Sequence, residues 1–278
     1  MLKKIYRALF LHKLFDALVN VYTFFAGYHF PKNYIRRWKL DMLCDLYEQE
    51  TISLFKKIVK PGIAVADIGA HIGYYTRVAS GLVGSGGAVY AFEPDPENFK
   101  LLQKNIGRMK NVKPYQLAVS DKTGRIDFYH YDARSGVHST LPNVPLDFQK
   151  KKISVEATDL DSFFAKLGVS KIDIIKMDIE GGEYAALQGM KKILSENRNL
   201  VLIVEFAPAW VLAAGNTPLK FLNFIESFGF EIFAITKQGL SKLSPAANDA
   251  DYAKFIPKSA SGTNFGEFVN LYCVKSEI

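Results

Sequence analysis

From Pro61 onward the chain alternates short apolar runs with stretches of helical period, and this limits the possible folds more than any other feature. Ile63–Ile68, Ala88–Phe92, Val112–Val119, Ile172–Met177 and Leu200–Val204 read as strands, most of them buried on both faces. Helices are expected over 74–82, 95–108, 183–196 and 218–227, with Asp95 as N-cap and Pro96 at the first helical position of the second. Arg125–Tyr129 and Ile153–Ala157 alternate like half-exposed strands, and Glu231–Thr236 and Phe268–Val274 close the set. Strands separated by helices in this way imply crossover connections and a mostly parallel sheet covered by helices on both sides, an α/β fold.

Before this alternation, residues 43–59 read as one helix, ended by Lys60-Pro61-Gly62. Tyr131–Lys152 and Leu240–Gly262 fit no element. Long loops of this kind are usually functional or disordered, so each is a candidate lid or substrate wall, with tolerated insertion as the alternative. The 278 residues divide into an N-terminal helical arm, 1–42, and one domain, 43–278. The two cysteines, Cys44 and Cys273, exclude a disulfide scaffold and a cysteine-based zinc module.

The net charge of +7 is confined to the arm. Residues 1–40 hold eight basic side chains against the single acid Asp16, while the rest carries 27 of each sign. A neutral body argues against a nucleic-acid partner, as does the lack of an Asn/Asp-Pro-Pro-Tyr motif; the basic arm suits something anionic. Ala17–Pro31 is uncharged but only 15 residues long, too short to span a bilayer, and no cleavable signal is evident. Phe10, Phe15, Tyr22, Phe24 and Phe25 between basic flanks suit a helix lying in a membrane surface. The polar residues of the arm do not keep to one helical face, which suits packing on the domain or on a second subunit instead. The expected location is cytoplasmic, with peripheral contact at the inner membrane face as an option.

The candidate site residues sit where the strands end. Asp67-Ile-Gly69-Ala70-His71-Ile-Gly73 follows the first strand, and its glycines permit a tight turn and close backbone approach to a ligand. The spacing misses the dinucleotide fingerprint, because His71 replaces the middle glycine and the last glycine falls one residue early. A leading Asp67 suits an ammonium rather than a pyrophosphate. Glu93, ending the second strand, can accept from both ribose hydroxyls. Ala118-Val119-Ser120-Asp121 offers an acid and backbone amides to an adenine edge. Adenosine with an amino-acid tail describes S-adenosylmethionine better than NAD.

The fourth α/β strand ends Lys176-Met-Asp178-Ile-Glu180-Gly-Gly182-Glu183, and Glu205 ends the next. Carboxylates and a lysine crowded at strand ends suit proton abstraction. Asp178 or Glu180 is the expected base, with Lys176 holding the carboxylate or the substrate oxygen. His138 in the first long loop is the second choice, as its imidazole titrates near neutrality. Glu183 either joins this site or complements a helix dipole, and Glu205 either faces the same crevice or pairs with a neighbouring loop. Asp178, Glu180 and Glu205 could also offer oxygen ligands, but no spacing requires a divalent ion.

Val65–Thr76, Phe92-Glu93-Pro94-Asp95, Ala118–Asp121, Gly136–Leu141 and Ile175–Glu183 together resemble the FkbM-type S-adenosylmethionine-dependent methyltransferases. The resemblance covers about residues 45–210 well and 210–278 loosely. It implies a Rossmann-like seven-stranded sheet with the last strand antiparallel, and methylation of hydroxyls on sugars, glycans or natural products, yielding S-adenosylhomocysteine. By position it puts Asp67, Gly69 and Gly73 at the methionine tail, Glu93 at the ribose, and Val119 with Ser120 or Asp121 at the adenine. Ala70, His71, Thr76, Pro94 and Ala118 complete the expected cofactor-binding set, and Asp178 would lie close to the sulfonium methyl. The family tends to have Asn where this chain has His71. Two other readings share these features: a non-catalytic adapter that docks through its basic arm, and a nicotinamide-dependent oxidoreductase.

Overall fold

The computed structural model describes residues 17–32, 34–131, 138–142, 150–243 and 268–275. Gly136 and Val137, much of the two unassigned loops and the first 16 residues of the arm lie outside them. The domain is built on an eight-stranded sheet in the order β10-β9-β11-β8-β7-β1-β2-β3. β1 (Ala64–Ile68), β2 (Ala88–Phe92), β3 (Val112–Tyr115), β7 (Ile174–Met177) and β8 (Val201–Phe206) run parallel. β11 (Val269–Lys275) inserts antiparallel between β8 and β9 (Phe230–Thr236).

The expected antiparallel last strand is therefore present, but the sheet has eight strands instead of seven. The addition is β10 (Gly239–Leu243), a hairpin on β9 that occupies the start of the second unassigned stretch. A separate sheet of β4 (Ala118–Val119), β6 (Lys150–Thr158) and β5 (Gly124–Tyr131) stands beside it. The expected strand 112–119 is thus two: β3 is the edge of the large sheet, while Ala118 and Val119 pair with Ala157 and Thr158.

The period of two sorts the apolar strand residues onto two cores. Ala66, Ile68, Leu202 and Val204 face one core, with Phe164, Leu187 and Phe221 from the covering helices. Val65 and Ile203 face the other, with Phe55, Ile72, Val83 and Leu102. The chain runs outward from β1 to β3 and returns to β7, on the other side of β1. The order reverses at β1/β7, and α/β sheets of this Rossmann-like kind bind ligands in the crevice at such a point.

Two expected helices are shortened, each where residues distant in sequence meet the chain. The 43–59 helix starts late, as α3 (Gln49–Ile58), because left-handed Asp45 and Glu48 separate it from a further helix, α2 (Arg36–Leu43). The 183–196 helix is α7 (Glu183–Gln188) and α8 (Lys191–Glu196), interrupted at Gly189, where a Cβ would lie 2.0 Å from the Ser120 carbonyl oxygen. The other helices are α4 (Tyr74–Val83), α5 (Pro96–Ile106), α6 (Leu160–Lys166), α9 (Pro208–Ala213) and α10 (Pro218–Glu226).

The described part of the arm packs on this body. Its helix α1, residues 17–25, ends in carbonyls of Ala26 and Gly27 that accept from the Arg77 guanidinium at 3.0 and 2.6 Å. Asn105 clamps the next turn, accepting from the His29 N–H at 2.6 Å and donating to its carbonyl at 2.9 Å.

Candidate active site

At the β1/β7 switch point opens a cavity of about 430 Å³. The turn after β1 forms its floor. Gly69 adopts φ +80°, and a Cβ there would sit 1.9 Å from the Asp178 carbonyl oxygen, so this close approach of two turns admits only glycine. His71 is also left-handed, φ +50°, and its N–H donates to Glu93 Oε2 at 2.8 Å. Gly73, the other expected loop glycine, answers to packing instead: it is left-handed, and a Cβ would strike Leu102 of α5.

Glu93 is buried, yet it lines the cavity. Oε2 takes the His71 N–H and Oε1 takes the Asp95 N–H at 2.9 Å, which leaves further lone pairs for ligand hydroxyls. Burial pushes its carboxyl up to about 8. Asp67 faces the cavity at the other end of the floor, with Oδ2 accepting the Thr76 hydroxyl at 2.5 Å. Its carboxyl rises to about 6 through burial, against the pull of Thr76 and Lys176.

These groups suit the parts of S-adenosylmethionine: a carboxylate for the ammonium, a carboxylate for the ribose diol, and an apolar slot for the adenine among Phe92, Leu117, Ala118 and Val119. Ala70, His71 and Pro94 also line the cavity. Ser120 and Asp121 do not, because pairing of β4 with β6 draws the chain away after Val119. Thr76 lies beneath the floor, where it orients Asp67.

Beside this floor stand the ends of β7 and β8. Carboxylate oxygens of Asp178, Glu180 and Glu205 lie within 4.8 Å of one another. Lys176, 2% exposed, reaches Asp178 Oδ2 at 3.2 Å and packs over the Tyr75 ring. Burial pulls the lysine's proton affinity down, but Asp178, Glu48, Asp67 and Glu205 outweigh it, so the ammonium stays charged. Glu180 and Glu205 are pushed well above the usual carboxylate range by burial and then by Asp178. Such carboxylates are strong bases when ionised.

Glu183 is not part of this cluster's open face. Its two oxygens accept the N–H groups of Ile179 and Gly181, both at 2.9 Å, and so fix the turn that presents Asp178 and Glu180. His138 lines the cavity too, but it stacks on His130 at 4.2 Å and lies 4.0 Å from Asp95 Oδ2, on the Glu93 side. Burial lowers its imidazole to about 4, so it is neutral near pH 7. Asp95, His130 and His138 form a second group, besides the three acids, whose donor atoms lie close enough to hold a metal ion.

Residues that gave no signal in the sequence complete the walls. Tyr34 and Trp38 come from the arm, Tyr47 and Glu48 from the break between α2 and α3, and Trp210 from α9. Glu48 accepts from Tyr75 at 2.9 Å and Asn270 at 3.1 Å. Its left-handed φ, +46°, turns it inward, and a pattern of helical period hides that.

A Rossmann-like sheet with this donor set defines an S-adenosylmethionine-dependent methyltransferase. The profile of the methyltransferase FkbM domain matches residues 67–232, and the chain belongs to that family. Among its relatives is the 2-O-methyltransferase NoeI of Sinorhizobium fredii, 30% identical over 193 residues, 65% of this chain and 76% of that one. The hexuronic acid methyltransferase AglP of Haloferax volcanii is 27% identical over 56% of this chain. The 31-O-demethyl-FK506 methyltransferase FkbM of Streptomyces tacrolimicus is 29% identical over 48% of it. The chain spans 61% of the length of each of these last two. The family sets aside the oxidoreductase and adapter readings.

Proposed function

We propose that this enzyme O-methylates a hydroxyl group of a sugar or glycan. The observation that carries the reading is the three-carboxylate cluster with its buried lysine, which lines one cavity together with Asp67, Glu93 and the rings of Tyr34, Trp38, Tyr47 and Trp210. Sugars present apolar C–H faces to aromatic rings and hydroxyls to carboxylates, and this cavity offers both. The names of two relatives, a 2-O-methyltransferase and a 31-O-demethyl-FK506 methyltransferase, support a hydroxyl acceptor, and that of the hexuronic acid methyltransferase supports a sugar.

When bound, S-adenosylmethionine supplies an electrophilic methyl group that needs no further activation. The protein's tasks are to align the acceptor and to take its proton. Asp67 and Glu93 hold the amino-acid and ribose ends, and the apolar slot excludes water from the adenine side. Glu180, in its ionised form, takes the hydroxyl proton, and Lys176 holds the Asp178 carboxyl beside it at 3.2 Å. Radiolabelled methyl transfer to a panel of neutral and acidic glycosides tests the assignment. Glu180→Gln is expected to cut turnover about 10²-fold or more while adenosylhomocysteine affinity holds. Wild-type turnover in both Glu180→Gln and Asp178→Asn would refute the assigned base.

A further inference from the structure

The helix α1 is oriented opposite to a helix that covers a core. Only Val19 and Thr23, one turn apart, are buried against the body. Leu18, Val21, Tyr22 and Phe25, spaced as a stripe along one side, are each more than half exposed, and the adjacent Phe24 is 75% exposed. The helix cannot roll to hide them. Arg77 grips the carbonyls of Ala26 and Gly27 at its C-terminal end and lies over the Tyr28 ring, 4.1 Å from its centroid. A contiguous apolar face of this kind on a fixed element marks a contact surface.

We propose that the outward face of α1 docks on an anionic lipid bilayer. Charge selects this occupant. Residues 1–40 carry eight basic side chains and one acid, against a neutral remainder. Lys39 reaches Asn20 of α1 at 3.4 Å, which puts a cation at the flank of the apolar stripe, and exposed Lys32 and Arg37 follow in the same arm. Aromatic and aliphatic side chains flanked by cations suit the boundary between headgroups and acyl chains of an acidic membrane. A second copy of the chain would bring the same positive charge against itself. No described helix is long and apolar enough to cross a membrane.

Docking in this way has a consequence for the site. Tyr28, Phe30, Tyr34 and Trp38 form a row of rings at 5.4–5.7 Å spacing that leads from the end of α1 to the cavity wall. A bilayer held by α1 would then lie beside the cavity wall, so the acceptor would be a glycan on a lipid carrier; this clause rests on the sugar reading above.

The test is co-sedimentation of the full chain with phosphatidylcholine vesicles, with and without phosphatidylglycerol. Phe24→Ser/Phe25→Ser and Lys32→Gln/Arg37→Gln are run alongside, with adenosylhomocysteine affinity measured on each sample. Binding to the anionic vesicles, weakened about tenfold in each double variant and by high salt, is the expected result. Adenosylhomocysteine affinity should be unchanged throughout, which shows the variants folded. Absence of wild-type binding, or binding untouched by the substitutions, would overturn the proposal. So would a wild-type dimer in light scattering that Phe24→Ser/Phe25→Ser dissociates, since the face would then belong to a second copy. Loss of acceptor methylation with intact vesicle binding would count against the sugar reading alone.

Discussion

Lys176 Nζ lies 3.2 Å from Asp178 Oδ2, with the lysine buried and the carboxylate a quarter exposed. Four acidic groups, Asp178, Glu48, Asp67 and Glu205, surround this ammonium and favour its charge. Lys176→Met would leave them uncompensated in a low-dielectric cavity, at a cost of about 3–5 kcal/mol. The carboxyls can relieve part of that by taking up protons, so the loss should be smaller in acid than at neutral pH. Thermal denaturation of the variant at several pH values checks this. A loss of stability that does not depend on pH would contradict the balance described.

The two turns that meet at the floor give a sharper comparison. Gly69 and Gly62 have nearly equal φ, +80° and +83°, but a Cβ at Gly62 meets only open space. Gly62→Ala should therefore cost only the left-handed penalty, about 1 kcal/mol. Gly69→Ala drives a Cβ into the Asp178 carbonyl and should cost more than about 4 kcal/mol, with loss of adenosylhomocysteine binding. Calorimetric unfolding of the two variants side by side measures the difference, which is due to the close approach alone.

His71 occupies a place where the family tends to have Asn, and its backbone explains the exchange. The residue is left-handed at φ +50°, a conformation that Asn and His tolerate far better than branched side chains do. What reaches Glu93 is the backbone N–H, which any residue supplies. His71→Asn should then keep stability and adenosyl-ligand affinity within about twofold, whereas His71→Val should lose about 1–3 kcal/mol. Calorimetric titration and unfolding of both variants decide it. A large loss of affinity in the Asn variant would give the imidazole a direct role.

What could be read from the sequence follows from how locally each feature is encoded. The parallel strands, the Asp95 cap and the turn glycines each depend on a few adjacent residues, so they were visible. Asp95 indeed accepts from the N–H groups of Glu97 and Asn98. Breaks inside helical patterns were not visible, because Asp45, Glu48 and Gly189 are set by contacts distant in sequence. The site divides the same way. Asp67, Glu93, Asp178, Glu180 and Glu205 converge because strand ends converge in any such sheet, whereas Tyr34, Trp38 and Glu48 reach the cavity only through the docking of the arm and of α3. Ser120 and Asp121 fall outside the cavity lining because a strand that leaves for a second sheet looks, in sequence, like one that continues.

The buried acids also predict an unusual pH dependence. Glu93, Glu183 and Asp67 hold their protons up to about 8, 7 and 6, well above the ordinary carboxylate values, with burial as the main cause. Between about pH 4 and 8 these three groups bind more protons in the native chain than in the unfolded one and make stability fall as pH rises. Below about pH 6.5 His71 and His138, which burial lowers to about 4, contribute in the opposite direction. The acids' contribution is complete below the unfolded values and gone above the highest folded one. Melting temperatures of the ligand-free enzyme across this range should decline, most steeply between about pH 6.5 and 8. In Glu93→Gln the amide nitrogen must face a backbone N–H, so the variant melts lower throughout. It has no proton to lose, however, and the decline above about pH 6.5 should flatten. An unchanged slope in Glu93→Gln would show that the proton is held elsewhere.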